Sequence, residues 1–214
     1  MQFSLSIATA ILAATASALP ILEIRQTVGT TANEFTSGGC KDVVLLYARG
    51  TSQSGNMGEE PGPALGNALK TRLGAARVAV QGVSYSASLL GNLNPGGAPA
   101  SEATSFRTLI GQVASQCPNA RIVVSGYSQG GALVHRAVEG TTAAVSARIA
   151  AGVTFGDTQK QQDGGRIPGI DASKSLIICN TGDRVCEGTL IITSAHSGYG
   201  ARVGEAVDFI AARV

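Results

Sequence analysis

Ser128 stands at the centre of a Gly-x-Ser-x-Gly pattern that spans residues 126–130. A β-branched run at residues 122–124 precedes the pattern, and helical periodicity follows it at once. This strand–turn–helix context is that of a nucleophile elbow, a tight turn that exposes a serine hydroxyl. The flanking glycines leave space that a Cβ atom would fill. Because the bare pattern also arises by chance, nucleophilic catalysis requires a base, an acid and oxyanion donors elsewhere in the chain.

The chain contains only 2 histidines, so the candidate bases can all be examined. His135 follows Ser128 on the same predicted helix, about 10 Å further along the axis, which is too far for contact with the serine. We therefore expect a helix-surface or core role for His135. His196 lies in a Ser/Gly-rich loop before the last predicted helix, and the chain order Ser…Asp…His is that of α/β-hydrolases. His196 is the predicted general base.

Two aspartates that follow predicted strands could orient the histidine ring. Asp183 lies 13 residues before His196, so a single loop can bring the two together. Cys179 and Cys186 bracket Asp183 and could fix its loop as a small disulfide ring. We predict Asp183 as the acid and keep Asp157 as the second choice. The structural alternative for Asp183 is an ordinary turn aspartate.

An oxyanion intermediate needs preorganised N–H donors. Gln129, the residue after the serine, would supply one from its backbone at the N-terminus of a helix. The second is expected from the glycine-rich loop after an early strand, where Thr51 offers its backbone N–H and its hydroxyl. Capping of local backbone is the alternative role for Thr51.

The elements that position these residues alternate along the chain. Apolar runs predict strands at residues 42–48, 77–83, 121–125, 149–155 and 175–179. Helical periodicity predicts a helix opened by Pro61 and Pro63, one capped by Ser101, one from Ser128 to Gly140 and one from about Gly200. This alternation indicates an α/β fold with a central parallel sheet of about five strands and helices on both faces. The polar loops at residues 50–58, 126–130 and 180–183 then follow strand ends, where such folds carry their sites.

The composition argues against a nucleic-acid partner. The 214 residues include 16 Lys and Arg and 14 Asp and Glu, a formal net charge of +2, and no basic cluster is present. The length fits one α/β domain with a single core.

The amino-terminal stretch is typical of a secretory signal. Residues 3–19 are uncharged and apolar or small, and Ala-Ser-Ala at residues 16–18 fits a cleavage site. We predict a signal peptide at 1–18, a pro-segment or flexible N-terminus at 19–30 and a catalytic domain at 31–214, secreted to the extracellular space. A buried N-terminal helix is the alternative. The apolar run is too short for a membrane anchor, so we expect no transmembrane segment.

The chain has 4 cysteines, which fit an oxidising compartment. Cys40, Cys117, Cys179 and Cys186 allow three pairings, which the sequence alone does not rank. None lies in a metal-binding pattern, so we predict no metal site and no cofactor.

Taken together, these motifs and their order resemble the fungal cutinases. The resemblance runs from about Cys40 to the C-terminus and rests on Tyr47-Ala48-Arg49-Gly50, Gly55-Asn56-Met57-Gly58, Gly126-Tyr127-Ser128-Gln129-Gly130, Cys179-Asn180-Thr181-Gly182-Asp183 and the spacing from Asp183 to His196. It implies a nucleophile at Ser128, an acid at Asp183, a base at His196 and oxyanion donors at Gln129 and Thr51. It also implies the disulfide pairing that we favour, Cys40–Cys117 and Cys179–Cys186.

The resemblance implies a small, lidless serine esterase that cleaves cutin, the hydroxy-fatty-acid polyester of the plant cuticle. We expect the protein to be a monomer. The chain departs from the family pattern at two positions. Thr51 stands where many cutinases carry serine, which keeps the hydroxyl but adds a methyl group. Gln53 stands where an acidic residue is common, which changes how that loop is tethered.

Two groups of apolar residues lie in otherwise polar segments: Leu89, Leu90 and Leu93 in the first, and Leu190, Ile191 and Ile192 in the second. We interpret Leu89, Leu90, Leu190 and Ile191 as a rim that binds the acyl chain of a polyester or lipid-like ester at a surface. Ordinary burial in the core is the alternative for each group.

Two other functions remain open. An acetylxylan esterase would share the elbow and the order of the three residues, but such proteins tend to carry more cysteines. A secreted protein of the same fold without activity, such as a binding or elicitor module, would have no need of Ser128, Asp183 and His196 together.

Overall fold

The structure is a computed structural model that describes residues 27–214. In this part of the chain, an α/β domain is built from five β-strands and six α-helices. The strands are β1 (Val43–Ala48), β2 (Val78–Gly82), β3 (Arg121–Tyr127), β4 (Ile149–Phe155) and β5 (Ser175–Ile178). The helices are α1 (Glu34–Gly38), α2 (Gly62–Leu73), α3 (Ala100–Gln116), α4 (Gln129–Glu139), α5 (Ala143–Ala147) and α6 (Val203–Ala211).

All neighbouring strands are parallel, in the order β2-β1-β3-β4-β5. In the interior strand β1, Val44 pairs with Ala79 of β2 on one side and with Ile122 of β3 on the other. The chain runs from β1 to one edge and then returns to build the other, so the order reverses between β1 and β3. In open parallel sheets a crevice forms at this point, outside the carboxyl ends of the strands. The loop after β1 and the turn after β3 meet there.

Helices cover both faces of the sheet, as predicted. Helices α3 and α4 pack on one face, where Phe106 and Leu133 meet Val44. Helices α2 and α6 pack on the other, where Leu65 and Ile210 join alternate residues of the same strands. Because both faces are covered, β1 is fully buried, and its sequence reads as a continuous apolar run rather than an alternating one.

The ends of some elements differ from the predictions. Helix α3 begins at Ala100, and the carbonyl of Pro99 accepts the first helical hydrogen bond, from Ala103 N, so Ser101 does not cap it. The last helix begins at Val203, after a 3₁₀ turn at Tyr199–Arg202. Helices α1 and α5 were not predicted; each has only 5 residues, too few for a periodic pattern.

The two disulfides have the predicted pairing. Cys40–Cys117 ties the segment before β1 to the end of α3, and Cys179–Cys186 closes a loop after β5. The predicted signal peptide at 1–18 and most of the segment at 19–30 lie outside the described residues. Between residues 27 and 214, none of the helices has the length and apolar character needed to cross a membrane.

Candidate active site

Ser128 lies on a sharp turn between β3 and α4. Its backbone has φ 56° and ψ −121°, a conformation that costs energy for a residue other than glycine. A Cβ on Gly126 would lie 2.3 Å from the Gly130 carbonyl, and one on Gly130 would lie 2.1 Å from the Ala48 carbonyl. The Gly-x-Ser-x-Gly pattern therefore exists because no larger residue fits at either end of the turn. The Ser128 amide donates to Phe155 O at 2.9 Å, which fixes the turn against β4.

The structure brings the predicted nucleophile, base and acid into one hydrogen-bonded series. Ser128 Oγ lies 2.9 Å from His196 Nε2. On the other side of the ring, His196 Nδ1 lies 3.0 and 2.9 Å from the two carboxylate oxygens of Asp183. All three side chains are buried. With Asp183 accepting from Nδ1–H, the lone pair of Nε2 faces the serine hydroxyl and can take its proton.

The loop that carries Asp183 follows β5 and is closed by the Cys179–Cys186 disulfide. Asp183 starts a 3₁₀ turn and accepts a hydrogen bond from Val185 N at 3.0 Å through Oδ1. Its Oδ2 accepts from the hydroxyl of Tyr199 at 2.5 Å. Donors other than His196 thus hold both carboxylate oxygens.

The loop that carries His196 is held from two sides. The side-chain amide of Asn180 donates to Ala195 O at 2.9 Å and to Ser197 O at 3.0 Å, the carbonyls on either side of the histidine. Tyr127, the residue before the serine, stacks on the imidazole with ring centroids 5.2 Å apart. Its hydroxyl also donates to His196 O. These contacts fix the plane and the position of the ring.

The loop after β1 brings Thr51 to the pocket that contains Ser128. Thr51 Oγ1 accepts a hydrogen bond from Asn92 Nδ2 at 3.0 Å, which leaves the hydroxyl proton free to be donated. Gln129 is the first residue of α4, so its amide has no acceptor within the helix. Both predicted oxyanion donors therefore belong to elements that meet beside the serine.

Gln53 organises the loop that contains Thr51. Its Oε1 accepts from Gly50 N at 2.8 Å, and its Nε2 donates to Glu60 O at 2.8 Å. A carboxylate could make the first of these bonds but not the second, because it has no donor at neutral pH. The departure from the family pattern at this position therefore replaces an acceptor-only side chain by one that links both sides of the loop.

A pocket of about 480 Å³ opens above Ser128. Apolar side chains from two segments form its rim: Leu89, Leu90 and Leu93 on one side, and Leu190 and Ile192 on the other. The leucines at 89 and 90 are 72% exposed, which excludes the alternative of core burial. Gln129 Nε2 donates to Ser88 O at 2.9 Å and so ties the first segment to the elbow.

One residue predicted for the rim, Ile191, does not line the pocket. Ile191 is 48% exposed, and its neighbours Leu190 and Ile192 do line the pocket. Val185, which was not predicted, lines the pocket from the acid loop.

Comparison with known proteins gives a consistent family assignment. The sequence model of the family described as Cutinase matches residues 39–214. "Cutinase CUT2" of Pyricularia oryzae is 92% identical over 214 residues, covering 100% of both chains. The chain belongs to the cutinase family of carboxylic ester hydrolases.

Solved structures agree with this assignment. A Trichoderma reesei cutinase in complex with a C11Y4 phosphonate inhibitor is similar with a TM-score of 0.78 and 34% identity, covering 86% of this chain and 80% of that one. The catalytic core domain of an acetylxylan esterase from Trichoderma reesei has a TM-score of 0.62 and 21% identity, covering 82% and 100%. At that identity the second likeness extends to the fold alone.

His135, the other histidine of the chain, pairs with two aspartates away from the serine. His135 Nε2 lies 2.9 Å from Asp157 Oδ2, and His135 Nδ1 lies 2.6 Å from Asp163 Oδ2. Asp157, the second choice for the acid, is fully buried and also accepts from Thr154 and from Gln159 N. These three hydrogen bonds lie away from Ser128 and His196. His135 has the core role that was one of the two expectations.

Sequence reasoning missed three residues that hold the candidate site. Tyr199 bonds Asp183, Asn180 bonds both neighbours of His196, and Asn92 bonds Thr51. Asn180 lies in the Cys-Asn-Thr-Gly-Asp motif, and Tyr199 lies three residues after His196, so proximity in sequence to predicted residues was an available signal. Asn92 lies 41 residues from Thr51, and no local pattern indicates that contact.

Proposed function

We propose that this protein is a secreted serine esterase that hydrolyses ester bonds of cutin-type polyester and short-to-medium-chain esters through an acyl-enzyme on Ser128. The observation that carries the proposal is the hydrogen-bonded series Asp183–His196–Ser128. His196 Nδ1 lies 2.9 Å from Asp183 Oδ2, His196 Nε2 lies 2.9 Å from Ser128 Oγ, and Ser128 lines an apolar pocket.

The first half of the reaction forms the acyl-enzyme. Ser128 Oγ attacks the ester carbonyl carbon while its proton passes to His196 Nε2. The carbonyl oxygen becomes an oxyanion, which accepts hydrogen bonds from the Gln129 amide and from the amide and hydroxyl of Thr51. As the intermediate collapses, the bond to the leaving oxygen breaks, and His196 returns the proton so that the alcohol departs neutral. Asp183 stays ionised and stabilises the imidazolium.

The second half repeats these roles with water. His196 takes a proton from water as the water oxygen attacks the acyl carbon. The new oxyanion accepts hydrogen bonds from the same donors. The proton then passes from His196 to Ser128 Oγ as the carboxylic acid is released. No metal or cofactor takes part in either half of the proposed reaction.

The pocket favours an acyl group larger than acetate. Its volume of about 480 Å³ and its exposed leucines suit an aliphatic chain, and the open rim suits a substrate presented at a surface. The relatives named as cutinases support the same substrate class. Acetylxylan esterase remains the second candidate only through its shared fold, and an acetyl group would leave the rim without a partner.

The location and the assembly belong to the same proposal. A predicted signal peptide at 1–18 and two disulfides fit a protein exported to an oxidising, extracellular compartment. We propose that it acts there as a monomer, because the described residues already contain all three members of the series and both oxyanion donors.

Labelling with a fluorophosphonate probe tests the covalent step. The wild type should be labelled and should hydrolyse p-nitrophenyl butyrate, and Ser128→Ala should lose labelling and lose at least about 10⁴-fold in kcat. An unlabelled, inactive wild type would contradict the esterase proposal and favour the alternative, a binding or elicitor module. Labelling that persists in Ser128→Ala would reject Ser128 as the nucleophile.

The substrate class needs a separate comparison. Release of hydroxy fatty acids from cutin should be readily detected, whereas release of acetate from acetylated xylan should be slow relative to hydrolysis of a butyrate or octanoate ester. Leu90→Ser should weaken hydrolysis of cutin more than that of p-nitrophenyl acetate, because only the long chain or surface contacts the rim. Faster action on acetylated xylan would favour the second candidate.

A further inference from the structure

We propose that Tyr199 is a positioning residue for Asp183 and His196: its hydroxyl holds one carboxylate oxygen of Asp183 so that the carboxylate faces His196 Nδ1. This inference rests on the proposed function, since it assigns a role in the same reaction. Nothing in the expected chemistry of the three residues requires a tyrosine at this place.

The direction of the Tyr199 hydrogen bond is fixed by its second partner. The backbone amide of Asn180 donates to the Tyr199 oxygen at 2.9 Å. The phenol proton is then left for Asp183 Oδ2, 2.5 Å away. Burial, and next the hydrogen bond to Asp183, raise the pKa of Tyr199 above its usual range, so the hydroxyl keeps its proton and remains a donor.

The carboxylate of Asp183 is held symmetrically. Val185 N donates to Oδ1, and Tyr199 donates to Oδ2, while His196 Nδ1 lies within 3.0 Å of both oxygens. With one outer donor on each oxygen, the carboxylate plane cannot rotate without breaking a charge-assisted hydrogen bond. Loss of the Tyr199 hydroxyl would leave Oδ2 without an outer donor, and the carboxylate would be held by Val185 N and His196.

The ring of Tyr199 is fixed as firmly as its hydroxyl. The side chain is fully buried, and its ring meets those of Phe155 and His196 at 69° and 81°. Asn180 completes the arrangement, because its amide orients Tyr199 while its side chain holds the carbonyls on either side of His196. One residue thus acts on the base directly and on the acid through Tyr199.

Other ionisable groups near this cluster keep their contacts when the hydroxyl is removed. The Tyr127 hydroxyl donates to His196 O, and Glu60 accepts from Gly198 N at 3.0 Å. Arg202 donates to Cys179 O and pairs with Glu205. Tyr199→Phe removes two hydrogen bonds, the one to Asp183 and the one from the Asn180 amide, so the bond to Asp183 has to be isolated by combining the variant with a change at Asp183.

Tyr199→Phe, which keeps the ring, is the decisive variant. We expect kcat for p-nitrophenyl butyrate to fall about 10-fold to 100-fold, with KM within about 2-fold, because a hydrogen bond to a charged group is lost. The acid limb of the pH–rate profile should move up by about one pH unit, since a carboxylate with one donor fewer raises the proton affinity of the Asp183–His196 pair. Unchanged kcat and pH profile would overturn the proposal.

A double-mutant cycle separates positioning from packing. If Tyr199 acts through Asp183, then Tyr199→Phe should change kcat by less than about 3-fold in an Asp183→Ala background. An equal loss in both backgrounds would mean that the hydroxyl acts independently of Asp183, for example through the Asn180 amide, and would overturn the proposal. Tyr47→Phe is the matched control: it removes another buried tyrosine hydroxyl, one that bonds no described side chain, and kcat should not change.

Two further measurements keep the test interpretable. If Tyr199→Phe does not fold, 3-fluorotyrosine inserted at position 199 alone gives a stronger donor, and the acid limb should then move to lower pH; no movement would overturn the proposal. Labelling of the wild type by a fluorophosphonate separates this inference from the proposed function. An unlabelled wild type rejects both, whereas a labelled, active wild type with an unaffected Tyr199→Phe rejects only this one.

Discussion

His135 and His196 are both buried and both lie against aspartates, yet the structure gives them opposite chemical prospects. His196 has a carboxylate on Nδ1 and the Ser128 hydroxyl on Nε2. His135 has carboxylates on both nitrogens, Asp157 on Nε2 and Asp163 on Nδ1. The partner of Nε2 therefore distinguishes the two: a hydroxyl makes His196 a candidate base, and a carboxylate makes His135 a structural cation.

The protonation of His135 follows from its surroundings. Burial lowers its pKa, but the charges and hydrogen bonds of Asp157 and Asp163 outweigh burial and raise the pKa to about 9. At neutral pH His135 is then protonated and has no lone pair to offer. A buried histidine beside an aspartate is consequently a poor indicator of catalysis unless its other nitrogen faces a group that can lose a proton.

The largest expected difference between the two histidine clusters is in the effect on kcat of replacing Asp183 or Asp157 by asparagine. Asp183→Asn should lower kcat by about 10⁴-fold, because an asparagine favours the wrong tautomer of His196. Asp157→Asn should leave kcat for p-nitrophenyl butyrate within a few-fold, because Asp157 contacts no member of the series. Steady-state kinetics on both folded variants checks this. A large loss of kcat in Asp157→Asn at unchanged stability would mean that the second cluster serves catalysis.

Removal of the structural histidine should act on stability instead. His135→Leu leaves Asp157 buried without its cation, so we expect a loss of about 3–5 kcal/mol in the free energy of unfolding. Denaturant unfolding measures it. Adding Asp157→Asn to the same variant removes the uncompensated charge and should restore part of the loss. A further loss on adding it would contradict the ion-pair account.

These two clusters also show what the sequence could and could not predict. The strands, the elbow and the choice of His196 over His135 follow from periodicity and from the fixed rise of a helix, which are local properties. The second partner of His135 does not, because Asp163 lies in a loop of residues 159–173 without periodicity, and its contact with His135 depends on how that loop folds. Tyr199 was missed for a similar reason: a 3₁₀ turn, not the predicted helix, carries it towards Asp183.

The pH dependence of stability distinguishes the charged state of His135 from the neutral one. A pKa raised from 6.5 to about 9 means that the folded state binds the proton more tightly than the unfolded state. Its stabilising effect, on the order of 3 kcal/mol, is therefore complete below about pH 6.5 and is lost as the pH rises through about 9. Thermal unfolding between pH 6 and pH 10 should show this decline in the wild type and a shallower one in His135→Leu. Parallel curves for the two proteins would mean that His135 is neutral in the folded state.

The smallest effect concerns the outer carboxylate of the same cluster. The Asp163 side chain is 30% exposed, whereas that of Asp157 is fully buried, so solvent screens the attraction of Asp163 for His135. We expect Asp163→Asn to cost about 1 kcal/mol in the free energy of unfolding at neutral pH and to move the alkaline decline to lower pH. Asp163→Glu, which keeps the charge, should retain the wild-type midpoint if its carboxylate reaches the ring. If Asp163→Asn instead destabilised the protein as much as His135→Leu, Asp157 alone could not hold the imidazolium, and the cluster would depend on both carboxylates equally.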